Sequence, residues 1–102
     1  MASRLKLHDE LCKILGSNNV YYKPPASLRM QYPCIKYSLS GIDTRRANDK
    51  NYSMMNRYEV IVIDYDPDSQ IHMKLLEHFE MCSFDRNYPS DGLNHNVLTL
   101  YY

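Results

Sequence analysis

The chain has 102 residues, the size of one domain and too few for separate substrate and cofactor domains. Twelve Lys plus Arg balance twelve Asp plus Glu, and a formal charge of zero excludes a global field for holding polyanions. Ten of its aromatic residues are Tyr, two are Phe and none is Trp, so nearly every ring carries a hydroxyl suited to half-wet surfaces and interfaces.

From Ser3 to Leu15, the apolar residues Leu7, Leu11, Ile14 and Leu15 recur at helical spacing opposite Asp9, Glu10 and Lys13. This predicts a first helix, with Ser3 as N-cap and Gly16 as the stop. Arg4, Lys6, His8, Asp9 and Glu10 interrupt its leucines, so it does not read as a signal peptide. After a turn at Ser17-Asn18-Asn19, Val20-Tyr21-Tyr22 forms a short strand that Pro24-Pro25 must end, which suggests a sheet edge. Pro33 holds Tyr32 extended and leads into a strand from Cys34 to Leu39, with Ile35, Tyr37 and Leu39 on one face.

Residues 40 to 53 are the polar stretch. Between Ser40 and Asn51 only Ile42 and Ala47 are apolar, among Gly41, Asp43, Thr44, Arg45, Arg46, Asn48, Asp49 and Lys50. It reads as a long loop or a protruding hairpin tip, and about a dozen residues without structure are uncommon in a domain unless they serve a function. Met54 to Asp64 is the strongest strand signal: Tyr58, Val60 and Val62 point one way, Ile61 and Ile63 the other. A half apolar on both faces describes a central strand covered on both sides, by helices or by a neighbouring subunit.

Asp66-Pro67 predicts the start of a second helix that runs to about Phe79 and buries Ile71, Leu75, Leu76 and Phe79. Ser83 to Tyr88 reads as a strand, Pro89-Ser90-Asp91-Gly92 as a turn, and Leu93 to Tyr102 as a closing strand. The expected fold is a single α+β domain over residues 1–102, with two helices on a mixed or antiparallel sheet of about four to five strands. The chain stops on Leu98-Thr99-Leu100-Tyr101-Tyr102 without a polar tail, so Tyr101 and Tyr102 are expected to be tied down by a sheet position or a partner contact.

The residues that carry chemistry elsewhere form no convincing site. Cys12, Cys34 and Cys82 are odd in number and form no CxxC pair, and read as reduced, core-filling thiols rather than nucleophiles. Val60 to Ile63, the longest apolar run, is four residues and cannot span a bilayer, which leads us to expect a soluble protein of a reducing cytoplasm. Asp64, Asp66 and Asp68 follow an apolar strand, as in phosphotransferases of the haloacid dehalogenase type, but Asp68 stands where those enzymes want Thr or Val. The same aspartates alternate as in an EF-hand loop, which then fails at Ser69, where glycine is needed, and at Leu75, where the bidentate glutamate is needed. A turn with acids at the helix dipole's positive end explains them. His8 with Cys12, and His78 with Cys82, have zinc-ligand spacing on a helix, but nothing in the sequence brings the two pairs together. No catalytic, cofactor or metal site is expected. Arg45, Arg46, Lys50 and Arg57 cluster near the polar stretch, offset by Asp43 and Asp49, a local positive excess that a ring of copies would multiply into a belt.

Tyr32-Pro-Cys-Ile-Lys-Tyr37, Gly41-Ile-Asp-Thr44, Arg57-Tyr-Glu-Val-Ile-Val-Ile-Asp64, Asp66-Pro-Asp-Ser69, Cys82-Ser-Phe-Asp-Arg86 and the closing Asp91 to Tyr102 segment carry a resemblance. In their order and in overall length they resemble the small tail-terminator, or tail-completion, proteins of the head-to-tail neck of tailed bacteriophages. The resemblance implies a non-enzymatic α+β subunit that forms a hexameric ring, caps the tail tube, ends its polymerisation and docks to the head-side connector, with genomic DNA passing through the channel. It implies residence in the virion neck after synthesis in the host bacterial cytoplasm, and no membrane partner. Arg45, Arg46, Asp49 and Lys50 would then line a channel or meet the next ring, and Tyr101 and Tyr102 would lie at a subunit interface. The alternatives are a head-closure or adaptor protein of the same neck, a small metal-dependent phosphoryl-transfer enzyme using Asp64, Asp66 and Asp68, and a free nucleic-acid-binding module.

Overall fold

The computed structural model describes residues 4–46 and 52–102. In chain order the elements are α1 (Arg4–Leu15), β1 (Val20–Tyr22), β2 (Cys34–Arg46), β3 (Tyr52–Asp64), α2 (Ile71–His78), β4 (Cys82–Ser90) and β5 (Leu93–Tyr101). The strands form one sheet in the order β1-β2-β3-β5-β4. β1 runs parallel to β2 and every other pair is antiparallel, so the α+β sheet is mixed.

α1 forms where the spacing places it. Leu7 and Leu11 are fully buried, and Gly16 takes a φ of +82° at the C-terminal stop, where its N–H donates to the Cys12 carbonyl at 2.9 Å. β1 is the short edge strand its prolines require. β3 lies between β2 and β5, and its Tyr58, Val60 and Val62 share the helix side with Ile35 and Tyr37 of β2 and Leu98 and Leu100 of β5. These residues, with Leu7, Leu11, Val20, Leu75 and Phe79, make the main core. A fully buried aliphatic side chain contributes about 1.5–3 kcal/mol, so this one layer carries most of the driving force.

The second face of β3 departs from expectation. Ile63 is buried, but its cover is the chain's own connection between β1 and β2: Met30 and Tyr32, with Tyr21 of β1, pack on a small cluster of Cys34, Ile63 and Leu93. Neither a helix nor a neighbouring subunit is needed to bury it. The loop encloses apolar side chains that a two-layer domain would otherwise leave wet.

The second helix is also corrected. It begins at Ile71, not at Asp66-Pro67, and ends at His78, with Phe79 already extended. The acidic stretch takes its backbone out of helical geometry: Asp64 Oδ1 accepts the Asp66 N–H at 3.2 Å and Asp66 Oδ1 accepts the Asp68 N–H at 2.9 Å. Short carboxylates that capture backbone N–H groups two residues on favour turns over helix. β4 runs through Pro89 and Ser90, which were expected in a turn; the turn is Asp91-Gly92 alone, at φ +54° and +76°. Two positive φ values suit a two-residue hairpin, and Pro89 is tolerated because β4 is the outer strand.

Candidate interaction surface

The described residues of the polar stretch are paired strands. β2 continues to Arg46 and β3 starts at Tyr52, pairing from Ile42 opposite Asn56 to Arg46 opposite Tyr52. The pairing of β5 with β3 stops at Arg57 opposite Tyr101, and that of β1 with β2 stops at Tyr22 opposite Tyr37. Beyond those points β2 and β3 project as a two-stranded arm. The long axis of the molecule is 52 Å and its radius of gyration 14.7 Å, against about 13 Å for a round chain of this length.

One side of the arm carries exposed apolar residues among polar ones. Ile42 pairs with Asn56 and Thr44 with Met54, and alternation from Tyr58 places these four residues on the side that carries the helices lower down. Among the described residues no helix covers Ile42, which is 55% exposed, Met54, 41%, or Leu39 at the base, 37%. Sequence reasoning gave Ile42 and Met54 no surface role, although Ile42, with Ala47 one of two apolar residues in a polar stretch, was the available signal.

At the base of the arm the register shifts between Leu39 and Gly41. The Arg57 guanidinium lies against Gly41, where a Cβ would collide with it, and Arg57 Nη1 pairs with Asp43 Oδ1 at 3.2 Å. Ser40 Oγ donates to the Arg57 carbonyl at 3.0 Å. Of the four arm residues expected to face a channel or another ring, Arg45 and Arg46 stand at the end of β2, opposite Ser53 and Tyr52, and Asp49 and Lys50 lie outside the described residues.

The closing tyrosines are partly buried, and Tyr102 owes its placement to its own chain. Its N–H donates to the Asn56 carbonyl at 2.9 Å, its ring meets Phe79 edge to face, and its hydroxyl donates to Glu10 Oε2. Glu10 Oε1 also accepts from His78 Nε2 at 3.2 Å, so one carboxylate joins α1, α2 and the end of the chain. The Tyr102 hydrogen bond, with the His78 and Lys6 charges behind it, holds the Glu10 carboxyl below its ordinary value against the opposing effect of burial. Burial, and then the Glu10 carboxylate, push the Tyr102 phenol up to about 12. Tyr101 lies opposite Arg57 at the foot of the arm and lines a cleft of about 270 Å³ with Glu80, Met81, Cys82 and Ser83.

The groups weighed for catalysis do not converge. Asp64 and Asp66 spend carboxylate oxygens on the turn, and among the described residues no three His, Cys, Asp or Glu side chains are grouped to hold a metal ion. His8 Nδ1 is 2.7 Å from the Tyr37 hydroxyl, which also accepts from Arg4 Nη1 at 3.2 Å, while His78 is engaged with Glu10, so the two His/Cys pairs stay apart. All three cysteines are free thiols. Burial pushes Cys34 up to about 12 and Cys82 up to about 11, the opposite of nucleophilic activation. Among the described residues no helix is long and apolar enough to cross a membrane.

The geometry therefore presents a projecting arm with exposed apolar residues on one side, and a partly buried tyrosine at its foot, as the chain's most developed surface. No protein-family model matches this chain, and neither does any curated protein.

Proposed function

We propose that this chain is a structural, non-enzymatic subunit of the head-to-tail neck of a tailed bacteriophage, a tail terminator whose copies close into a hexameric ring on the tail tube. In this role the ring ends tube polymerisation, docks to the head-side connector and lets the genomic DNA pass. The reading rests on the ordered resemblance over residues 32 to 102. The observation that carries it is the arm: β2 and β3 leave the sheet as a ribbon with Leu39, Ile42 and Met54 open to solvent, a surface suited to a neighbouring subunit. Arg45 and Arg46 belong to the same arm, where a ring would gather them into a positive belt although each subunit is neutral.

The test is an image of purified tail tubes incubated with the protein, and of the virion neck. A ring of this chain at the head-proximal end of the tube is the expected result. Tube ends that stay bare and continue to elongate would contradict it.

A further inference from the structure

A two-stranded ribbon is marginal in water by itself, and this one also exposes apolar side chains. A second apolar surface lies on the same side of the sheet. Where α2 meets β4, Met73 and Phe84 are each more than two-fifths exposed, and the Phe84 ring packs on His72 of α2 at 5.8 Å between centroids. The two surfaces occupy opposite flanks of the sheet, β2 and β3 against β4. They also sit near the same end, since the arm leaves the sheet above the Arg57–Tyr101 pair while β4 begins at Cys82 opposite Leu100.

Their charges are complementary. Asp43 is neutralised by Arg57, and the arm goes on to Arg45 and Arg46. The α2–β4 corner carries Glu77 and Glu80 against Lys74, while Asp85, which accepts from Thr99, and Arg86, over the Tyr88 ring, lie on the far face of the sheet. β4 itself is a poor template for continuing a backbone ladder, because its register shifts between Phe84 and Arg86 and Pro89 lacks an N–H. A contact here is therefore made by side chains.

Building on the ring reading above, we infer that the arm of one copy docks on the α2–β4 corner of the next, with Leu39, Ile42 and Met54 against Met73 and Phe84. The contact joins two different surfaces of one chain, so it is head-to-tail, and repetition closes a ring when the rotation allows. A rotation about the ring axis relates all copies, so every arm in such a ring points the same way.

The experiment uses two full-length variants, an arm variant (Ile42→Asp with Met54→Asp) and a corner variant (Met73→Asp with Phe84→Asp), followed by sedimentation velocity over a concentration series. Both are first matched to the wild type by far-ultraviolet circular dichroism; where Asp unfolds the chain, Ile42→Ser and Phe84→Ser replace them. The wild type is expected to form species larger than dimers and each variant alone to lose every species above monomer. An equimolar mixture is expected to form dimers and stop, since one intact arm meets one intact corner. A folded variant that assembles like the wild type, or a mixture of folded variants that stays monomeric, overturns this contact and leaves the ring reading standing. A wild type that assembles neither in solution nor on isolated tail tubes overturns the ring reading, and the contact with it.

Discussion

β2 and β3 are each thirteen residues long and live in two environments. Below Arg57 they are central to the sheet, with Tyr37, Val60 and Val62 essentially inaccessible under the helices. Above it the same two strands run on alone, with Ile42 and Met54 bare. The lower half holds the fold together and the upper half adds little to it. On the ring reading proposed above, the apolar residues that this ribbon leaves uncovered meet another subunit.

Substitutions should separate the halves by size of effect. Leu98→Ala, on the helix side of β5 beside Val60, removes a fully buried side chain and should cost about 2–5 kcal/mol in urea unfolding. A loss under about 1 kcal/mol would mean that the sheet body is not the stability centre.

The pH response reports on the lower half as well. Folded values for Cys34 near 12 and Cys82 near 11 lie above the ordinary thiol value, so the unfolded chain gives up these protons first. Their contribution is complete below about pH 8.5 and drains away as the pH rises toward the folded values, on the order of a few kcal/mol for fully buried Cys34. Alkaline melts should show this decline, and Cys34→Ala should flatten it. Glu10 acts in the opposite direction: its folded value is depressed, so it stabilises the fold above the ordinary carboxylate range and ceases to as the pH falls through the depressed value. Glu10→Gln should make acid unfolding less steep; an unchanged acid limb would remove Glu10 from the account.

Tyr102→Phe keeps the ring on Phe79 and removes only the hydroxyl that donates to Glu10, with an expected cost of about 1 kcal/mol and a downward shift in melting temperature. The smallest effect on stability belongs to the arm. Ile42→Ala and Met54→Ala should change the unfolding free energy of the isolated chain by less than about 0.5 kcal/mol, while weakening its assembly. A large stability loss at either position would show that the arm is part of the core after all.

The sequence disclosed much of the lower half, because burial imposes a period. Leu7 and Leu11 mark α1, alternating Tyr58, Val60 and Val62 mark β3, and Pro24-Pro25 mark β1 as brief and peripheral. The arm was legible only as one of two options, since an exposed ribbon has no buried face to force alternation and its polar residues look like a loop. The start of α2 was misplaced because Asp-Pro caps helices in many chains, whereas here Asp64 and Asp66 fold their carboxylates onto the following N–H groups. The cover over Ile63 comes from Met30 and Tyr32, about thirty residues away, and no local pattern discloses such a contact. At the candidate surface, composition pointed to Arg45, Arg46 and the closing tyrosines, but the open apolar side chains of the arm and the hold of Glu10 on Tyr102 emerge only from the three-dimensional arrangement.

The most direct test of the central claim is a reconstruction of the tail-tube end with this protein bound. The account predicts a closed ring of identical subunits at the head-proximal end, each with its β2–β3 arm against the next subunit. A tube end with no ring, or a neck in which this chain is present without contacting its own copies, would contradict it.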